Sequence, residues 1–353
     1  MNIFKKTIII LLLIMYPCKV MASSSIAVMD IDSGRILYQN NMNEKKLIAS
    51  TTKIMTCILI LEKGSLNDIV TVGEEVLPMY GTNIYIEVGE RISVKDLLYG
   101  LMLRSGNDAA IVLATYLCGD EQKFVKMMNE KAVELGMKNT IFENCHGLDE
   151  NTKNYSTAYD MTLLSKYAYK NRNYRKIINT SKYISVSSLK TYSWYNRMRL
   201  LSEYKYCVGG KNGYTPKAGK TLVSVSKKDN LTLTIVSLDD NDIYINHRKI
   251  YNQMYNNYKN YLIVDRKTFN IHDESEDKYY LKKSFSYPLS KGEIKNIRTV
   301  VSIKPEQKNE IVGSVKIYLD NDLIGNLNIY KKTKKKKRLS FLNKIANYFR
   351  EIL

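Results

Sequence analysis

The strongest constraint on the fold is an apolar run at residues 54–61, which directly follows the polar segment Ser50-Thr51-Thr52-Lys53. The run predicts a helix ending near Gly64, with Ser50 in its first turn and Lys53 on the same face. A serine hydroxyl is a weak nucleophile at neutral pH, and a partly desolvated lysine beside it becomes a base strong enough to activate it. A helix N-terminus also offers positive potential to a developing oxyanion. The alternative is that Ser50 only caps the helix and Lys53 is solvated.

Length, apolar content and the N-terminus indicate an exported protein with folded domains. The chain has 353 residues of which 44% are hydrophobic, enough for one large or two ordinary domains and too apolar for global disorder. Residues 1–22 predict a secretory signal peptide, with Lys5 and Lys6 before a short apolar core and Ala22 at the cleavage site. Failure of cleavage would leave an N-terminal anchor.

The positive charge is concentrated at the C-terminus. The formal charge of +19 falls to +16 once the three signal-peptide lysines are removed, and residues 331–353 hold nine Lys or Arg and one Glu. Half of the excess therefore lies in the tail, which favours a basic anchor over a nucleic-acid groove. Residues 341–353 carry apolar side chains at three- and four-residue steps, which predicts an amphipathic helix on an anionic membrane surface, the alternative being a solvated tail.

The sequence gives little support for a metal site and leaves one disulfide open. Only three histidines and no Cys-x-x-Cys are present, so no metal is predicted. Cys145 and Cys207 are able to pair in an oxidising compartment, and the sequence leaves this open. His146, alone in a polar loop at residues 142–160, is interpreted as structural.

The order of predicted elements indicates a mixed domain followed by a smaller β domain. Two strands are predicted over residues 25–39. Helices are predicted over residues 94–103, 109–117, 121–136 and 157–169, and a β meander over residues 211–215, 221–226 and 231–238. A helix from Arg248 closes this domain. Short strands then dominate residues 261–330. The predicted division is 1–22, 23–260, 261–330 and 331–353.

Two further polar segments attract attention. Ser105-Gly106-Asn107 interrupts two apolar helices, and the alternative to a functional role is a glycine C-cap followed by a polar N-cap. Lys211-Asn212-Gly213 lies on a predicted strand, where the glycine allows a ligand backbone to approach closely. The alternative is a glycine-rich hairpin with a solvated lysine.

In that order, Ser50-x-x-Lys53, Ser105-Gly-Asn107 and Lys211-x-Gly213 resemble the three motifs of penicillin-binding proteins and serine β-lactamases. The sequence around these motifs, including His146-Gly-Leu-Asp149, is similar to that of the low-molecular-mass D-alanyl-D-alanine carboxypeptidases. The resemblance implies an α/β (α+β) fold: a transpeptidase-like domain with an antiparallel sheet flanked by helices, then a small all-β domain and a C-terminal amphipathic helix.

The resemblance also implies roles for individual residues. Ser50 would be the nucleophile, Lys53 its base, Ser105 and Lys211 a proton relay, and Asn107 an orienting group. The substrate-binding residues it implies are the following: Asn212, Gly213, Tyr214, Thr215 and Arg248. One position departs from the family, since the third motif is usually Lys-Thr-Gly. Asn212 is therefore expected to alter recognition of the substrate carboxylate.

The implied activity is removal of the terminal D-alanine from peptidoglycan stem peptides, with β-lactams as covalent inhibitors and no cofactor. The protein would lie outside the cytoplasmic membrane, facing the wall. Two alternatives stay open: a wall-binding protein weakened by Asn212, and a β-lactamase. The second β domain, the basic tail and the lack of an evident Glu-x-x-x-Asn deacylation motif argue against the lactamase.

Overall fold

The computed structural model describes residues 24–271, 278–303 and 310–332. Two units divide the chain, Met1–Asn256 and Asn257–Leu353. The predicted signal peptide and residues 333–353 of the predicted tail lie outside the described residues.

The first unit contains eleven of the named strands and all of the named helices. Its strands are β1 (Ser25–Asp30), β2 (Ile36–Asn40), β3 (Lys46–Leu47), β4 (Ile69–Thr71), β5 (Arg91–Ser93), β6 (Tyr155–Ser156), β7 (Lys182–Val186), β8 (Thr191–Tyr195), β9 (Cys207–Thr215), β10 (Gly219–Lys228) and β11 (Leu231–Leu238). Its helices are α1 (Lys53–Lys63), α2 (Val94–Tyr99), α3 (Asn107–Cys118), α4 (Glu121–Glu134), α5 (Ala158–Lys170), α6 (Arg172–Asn179), α7 (Leu200–Glu203) and α8 (Ile243–Asn257).

A five-stranded antiparallel sheet organises this unit, in the order β2-β1-β11-β10-β9. Lys228 pairs with Leu231, so a two-residue turn joins β10 to β11, and Asp229 in that turn adopts a φ of +52°. Every residue of β11 is buried because helices cover both faces of the sheet. Strand β9 lies at the edge, which leaves one side of it open toward the N-terminus of α1.

Polar contacts attach helices to opposite faces of the sheet. On one face, the hydroxyl oxygens of Ser165 in α5 and Thr234 in β11 are 2.8 Å apart. On the other face, the imidazole of His247 in α8 lies between the hydroxyls of Ser224 (2.7 Å) and Ser237 (2.9 Å). These layers confirm the predicted antiparallel sheet flanked by helices.

Helix α1 runs through the interior of the unit. Eight consecutive residues, from Lys53 to Ile60, are buried. A helix that is apolar on every side is stable only when it is surrounded by protein, which explains the long apolar run in the sequence. The burial therefore includes Lys53 itself, whose side chain has no exposed surface.

In its described residues, the second unit consists of strands and one 3-10 turn, Ile294–Asn296. Its strands are β12 (Tyr258–Val264), β13 (Lys278–Leu281), β14 (Phe285–Ser290), β15 (Ile297–Ile303), β16 (Ile311–Leu319) and β17 (Asp322–Lys332). They form a β12-β14 pair and a sheet ordered β13-β17-β16-β15 around a core that includes Val315, Ile317 and Ile329. The predicted small β domain is confirmed, but it begins at residue 257 rather than at 261, because β12 already pairs with β14.

Several local features differ from the predicted pattern. Ser50 lies in a 3-10 turn, Ala49–Thr52, that precedes α1 rather than inside the helix. Helix α6 and the β7–β8 hairpin were not predicted; in β8, Tyr192 and Trp194 alternate inward, but the strand is too short to give a clear period. Cys145 and Cys207 are both buried free thiols. Among the described residues, no helix has the length and apolarity needed to cross a membrane.

Candidate active site

The candidate nucleophile lies at the start of α1 in an unusual backbone conformation. Ala49, directly before Ser50, has a φ of +46°, a left-handed conformation that is uncommon for a residue with a Cβ. The hydroxyl of Thr51 donates to the carbonyl of Ile48 at 2.6 Å and closes the turn. Ser50 is half-buried, so one side of it faces solvent while the other meets Lys53.

The amine of Lys53 has three neighbours within hydrogen-bonding distance. Its Nζ lies 3.0 Å from Ser50 Oγ, 2.7 Å from Asn107 Oδ1 and 2.5 Å from the carbonyl oxygen of His146. A neutral amine has two N–H donors and one lone pair. Since the Asn107 and His146 oxygens are acceptors only, they take the two donors and leave the lone pair for the Ser50 hydroxyl.

Burial makes the neutral amine accessible near neutral pH. It lowers the pKa of Lys53 to about 7, and the nearby Cys145 and Asp108 oppose the shift without cancelling it. No carboxylate forms a salt bridge with this amine in the described part of the chain. The Ser50–Lys53 pair is thus a hydroxyl held against a base that is poised for its task.

Asn107 is held in one orientation by its two amide atoms. Oδ1 accepts from Lys53, and Nδ2 donates to the carbonyl of Tyr80 at 2.7 Å. It begins α3 just after Ser105, which has a φ of +67° and follows a π turn at Gly100–Arg104. This strained turn presents Ser105 and Asn107 at the same helix junction, and both are buried.

Lys211 reaches the site from strand β9. It is almost fully buried, and its Nζ donates to the carbonyl of Asn212 at 2.7 Å. Burial lowers the pKa of Lys211 well below its usual value, and the positive charges of Lys53 and Arg197 lower it further. Arg197 therefore adds positive charge near Lys211, which suits an anionic substrate end.

Two glycines flank the peptide bond between Ala49 and Ser50. A Cβ on Gly213 would lie 2.8 Å from Ser50 N, and one on Gly147 would lie 2.0 Å from the carbonyl oxygen of Ala49. Gly147 also has a φ of +94°. Backbone can approach the nucleophile this closely on both sides only because these positions lack side chains.

The sequence matches the model of the family described as D-alanyl-D-alanine carboxypeptidase over residues 15–242. The chain belongs to this family. Residues 258–337 match the model described as penicillin-binding protein 5, C-terminal domain, which corresponds to the second unit.

Individual relatives support the assignment. The chain is 39% identical over 215 residues to the D-alanyl-D-alanine carboxypeptidase DacF of Bacillus subtilis, covering 59% of this chain and 55% of that protein, so it spans about half of DacF. It is 30% identical over 321 residues to DacC of Escherichia coli, covering 83% and 79%. The crystal structure of penicillin binding protein 5 from Haemophilus influenzae is similar, with a TM-score of 0.73, 25% identity and coverage of 88% of this chain and 96% of that one.

The remaining family positions are placed as follows. The hydroxyl of Thr215 donates to the carboxylate of Asp149 and accepts from the N–H of Ala218 at 2.9 Å, which ties β9 to the loop after His146. Tyr214 is 65% exposed at the mouth of β9. Asn212 is half-buried and lies two residues before Tyr214, on the same face of the strand.

Arg248 pairs with a carboxylate of the protein itself. Its guanidinium lies 3.2 Å from a carboxylate oxygen of Glu203, and both line a surface cavity of about 320 Å³ with Arg199 and Lys220. A substrate carboxylate would have to compete with Glu203 for this arginine. Its role in carboxylate binding stays a prediction.

Sequence reasoning missed groups that act through the backbone or at long range. The carbonyls of His146 and Tyr80 belong in this class, because a backbone oxygen has no residue signature. Asp108 was also missed, although it directly follows the second motif. Its carboxylate accepts N–H groups from residues 84, 85 and 86 and holds that loop beside the site. Arg197 was missed because only the fold brings it near Lys211.

The described residues contain no group of three or more His, Cys, Asp or Glu able to hold a metal ion. The chemistry that these side chains support is acyl transfer by an activated serine.

Proposed function

We propose that this protein is a serine-type D-alanyl-D-alanine carboxypeptidase that trims peptidoglycan stem pentapeptides. The observation that carries the proposal is the buried amine of Lys53, which lies 3.0 Å from Ser50 Oγ with its two donors engaged elsewhere. Membership of the carboxypeptidase family supports the same substrate class.

In the acylation step, Ser50 Oγ attacks the carbonyl carbon between the last two D-alanines. Its proton passes to the neutral amine of Lys53, and a tetrahedral oxyanion forms. The N–H groups of Ser50 and Tyr214 would stabilise this oxyanion, an effect worth roughly 3–4 kcal/mol per donor in other enzymes. Ser105 and Lys211 then relay this proton from Lys53 to the departing amine, the C–N bond breaks, D-alanine leaves, and Lys53 is neutral again.

In the second step, water attacks the ester carbonyl of the acyl-enzyme. Neutral Lys53 takes a proton from the water and returns it to Ser50 Oγ as the ester C–O bond breaks and the shortened peptide departs. A penicillin presents a strained amide to the same serine. Its acyl product stays tethered to the ring system, so β-lactams are expected to inhibit by slow deacylation.

Asn212 favours a second candidate, a penicillin-recognising wall-binding protein with little turnover. The asparagine replaces the threonine that is usual in the family, and its amide is longer than a hydroxyl. An altered fit at the substrate carboxylate would weaken the use of binding energy in the transition state. Rapid hydrolysis of penicillin would instead indicate a β-lactamase.

The proposal extends to location. Residues 1–22 have the pattern of a signal peptide, and residues 331–353 combine a basic run with an amphipathic pattern. We therefore place the mature protein at the outer face of the cytoplasmic membrane, with the tail on an anionic lipid surface and the first unit acting on the wall.

Release of D-alanine from diacetyl-L-Lys-D-Ala-D-Ala tests the proposal. The full-length protein is compared with Ser50→Ala as the blank and with Asn212→Thr, and labelled penicillin is followed in parallel. Release that depends on Ser50 supports the carboxypeptidase. Labelling without release, restored by Asn212→Thr, favours the wall-binding protein, and absence of labelling at Ser50 rejects the mechanism.

A further inference from the structure

The carboxylate of Glu121 contacts the turn that holds the candidate general base. Glu121 is the first residue of α4, and its Oε1 accepts the backbone N–H of Cys145 at 2.9 Å. The same oxygen faces His146 Nε2 at 3.6 Å. A carboxylate in the first turn of a helix is often explained by the helix dipole alone. Here it also reaches out of its own helix to a backbone group 24 residues away.

The turn formed by residues 144–147, called the base turn below, contacts the catalytic machinery at three successive points. The carbonyl of Cys145 accepts from Thr56 Oγ1 at 2.6 Å, and the carbonyl of His146 accepts from Lys53 Nζ at 2.5 Å. Gly147 packs against the backbone of Ala49. The inner side of the base turn therefore runs along α1, from one turn beyond Lys53 back to the nucleophile.

Glu121 holds the outer side of the base turn. Burial lowers the pKa of His146 to about 3, with a further lowering by the charge of Lys53, so the imidazole is neutral at physiological pH. Its Nδ1 accepts the N–H of Leu148 at 3.1 Å, which places the ring proton on Nε2, the atom that faces Glu121. The carboxylate thus meets a backbone donor and a ring donor on consecutive residues.

The position of the His146 carbonyl decides where the lone pair of Lys53 points. When this carbonyl and Asn107 Oδ1 take both N–H donors of the neutral amine, the lone pair is left for Ser50. A displaced carbonyl frees one N–H, and the amine then rotates away from the attacking hydroxyl. Reaction rates are sensitive to misplacement of this kind.

From these contacts, and resting on the proposed function, we propose that Glu121 is a positioning residue for Lys53. It acts through the Cys145 N–H and holds the base turn so that the His146 carbonyl orients the amine. Nothing in the reaction requires Glu121 to touch substrate.

Acylation of Ser50 by labelled penicillin, measured between pH 5.5 and 9.5 on the full-length protein, tests this role. Glu121→Ala removes the acceptor, Glu121→Asp keeps the charge but shortens the reach, and Glu121→Gln keeps a neutral acceptor of the same length. Glu130→Ala is the matched control, because Glu130 is an exposed carboxylate on the same helix. Thermal unfolding by circular dichroism confirms that each variant is folded.

We expect Glu121→Ala and Glu121→Asp to lower the plateau rate about tenfold, which corresponds to about 1.4 kcal/mol. The rate should rise with pH as Lys53 loses its proton, and we call this part of the pH–rate profile the rising limb. A carbonyl acceptor favours the protonated amine, so its displacement lowers the pKa of Lys53 and moves the rising limb to lower pH, by about half a unit or more. Cys145, Asp108 and Lys211, the other titratable groups near Lys53, are unchanged in these variants. Glu121→Gln should keep the limb and most of the rate.

Three results would overturn the inference. The first is a Glu121→Ala or Glu121→Asp variant whose plateau rate and rising limb match those of Glu130→Ala. The second is a lower plateau rate with the rising limb at an unchanged pH. The third is a Gln variant as impaired as the Ala variant. If Glu121→Ala fails to fold, Glu121→Asp carries the comparison. Failure of the unaltered protein to acylate at Ser50 would instead reject the proposed function itself.

Discussion

A change of pH through neutrality separates a buried, neutral base from a solvated lysine. The Lys53 side chain has no exposed surface, and burial lowers its pKa to about 7. At pH 7 about half of the molecules then carry the neutral amine, against about one in a few thousand for a lysine with the ordinary pKa. Acylation of Ser50 should therefore rise about tenfold between pH 6 and pH 8 and level off above that range.

The assay is the second-order rate of labelling by a fluorescent penicillin at low reagent concentration, with Ser50→Ala as the blank. The pKa of Lys211 is lowered as well. The rise of rate with pH must therefore be assigned to one of the two lysines. Lys211→Arg supplies it, because a guanidinium stays charged throughout this range, and the rising limb should persist in that variant.

Two outcomes would refute the reasoning about Lys53. A rate that keeps rising about tenfold per pH unit through pH 9 would mean that the amine has an ordinary lysine pKa. A rate independent of pH between 6 and 8 would mean that another group takes the proton from Ser50.

Three further changes test how the site is supported. Gly147→Ala would place a Cβ 2.0 Å from a backbone carbonyl oxygen, so we expect little or no labelling of Ser50 by penicillin. Gly136→Ala is the control for backbone strain alone, because Gly136 has a φ of +75° and a Cβ there would meet no atom within 4 Å. Thr215→Ala leaves the buried Asp149 carboxylate without its donor and should lower the free energy of unfolding by about 1–3 kcal/mol in urea titrations, whereas Thr215→Ser should restore it. The pKa of the buried His247 is lowered to about 3. Below pH 6.5 the unfolded chain therefore binds more protons than the folded one, and the free energy of unfolding falls as the pH falls. This residue contributes up to about 1.4 kcal/mol per pH unit. His247→Gln should reduce that slope, and an unchanged slope would exclude the residue as its source.

The sequence predicted the local part of the site well because that part depends on short spacing. Ser50 and Lys53 are three residues apart, and their side-chain atoms are 3.0 Å apart in the structure. The buried α1 followed from an apolar run with a clear end at Gly64. The strand order could not be read in the same way, because pairing of β1 with β11 joins residues about two hundred positions apart.

The fate of Arg248 illustrates what spacing alone leaves undetermined. The resemblance assigned it to a carboxylate, and the structure pairs it with the carboxylate of Glu203. That partner lies 45 residues earlier in the chain, and no local pattern connects the two. Helix α6 and the β7–β8 hairpin were missed for a related reason, since each is short and takes its stability from packing.

The sequence by itself determined which groups carry the chemistry: a serine and lysine at helical spacing, a Ser-Gly-Asn turn, and a lysine before a glycine on a strand. The tertiary structure decided the protonation state of these groups and the direction of their hydrogen bonds. Lys53 has a lowered pKa because the protein surrounds it on every side, and its lone pair meets Ser50 because Asn107 and the His146 carbonyl occupy its donors. Burial and hydrogen-bond direction arise from distant segments packed together, so no stretch of sequence contains them.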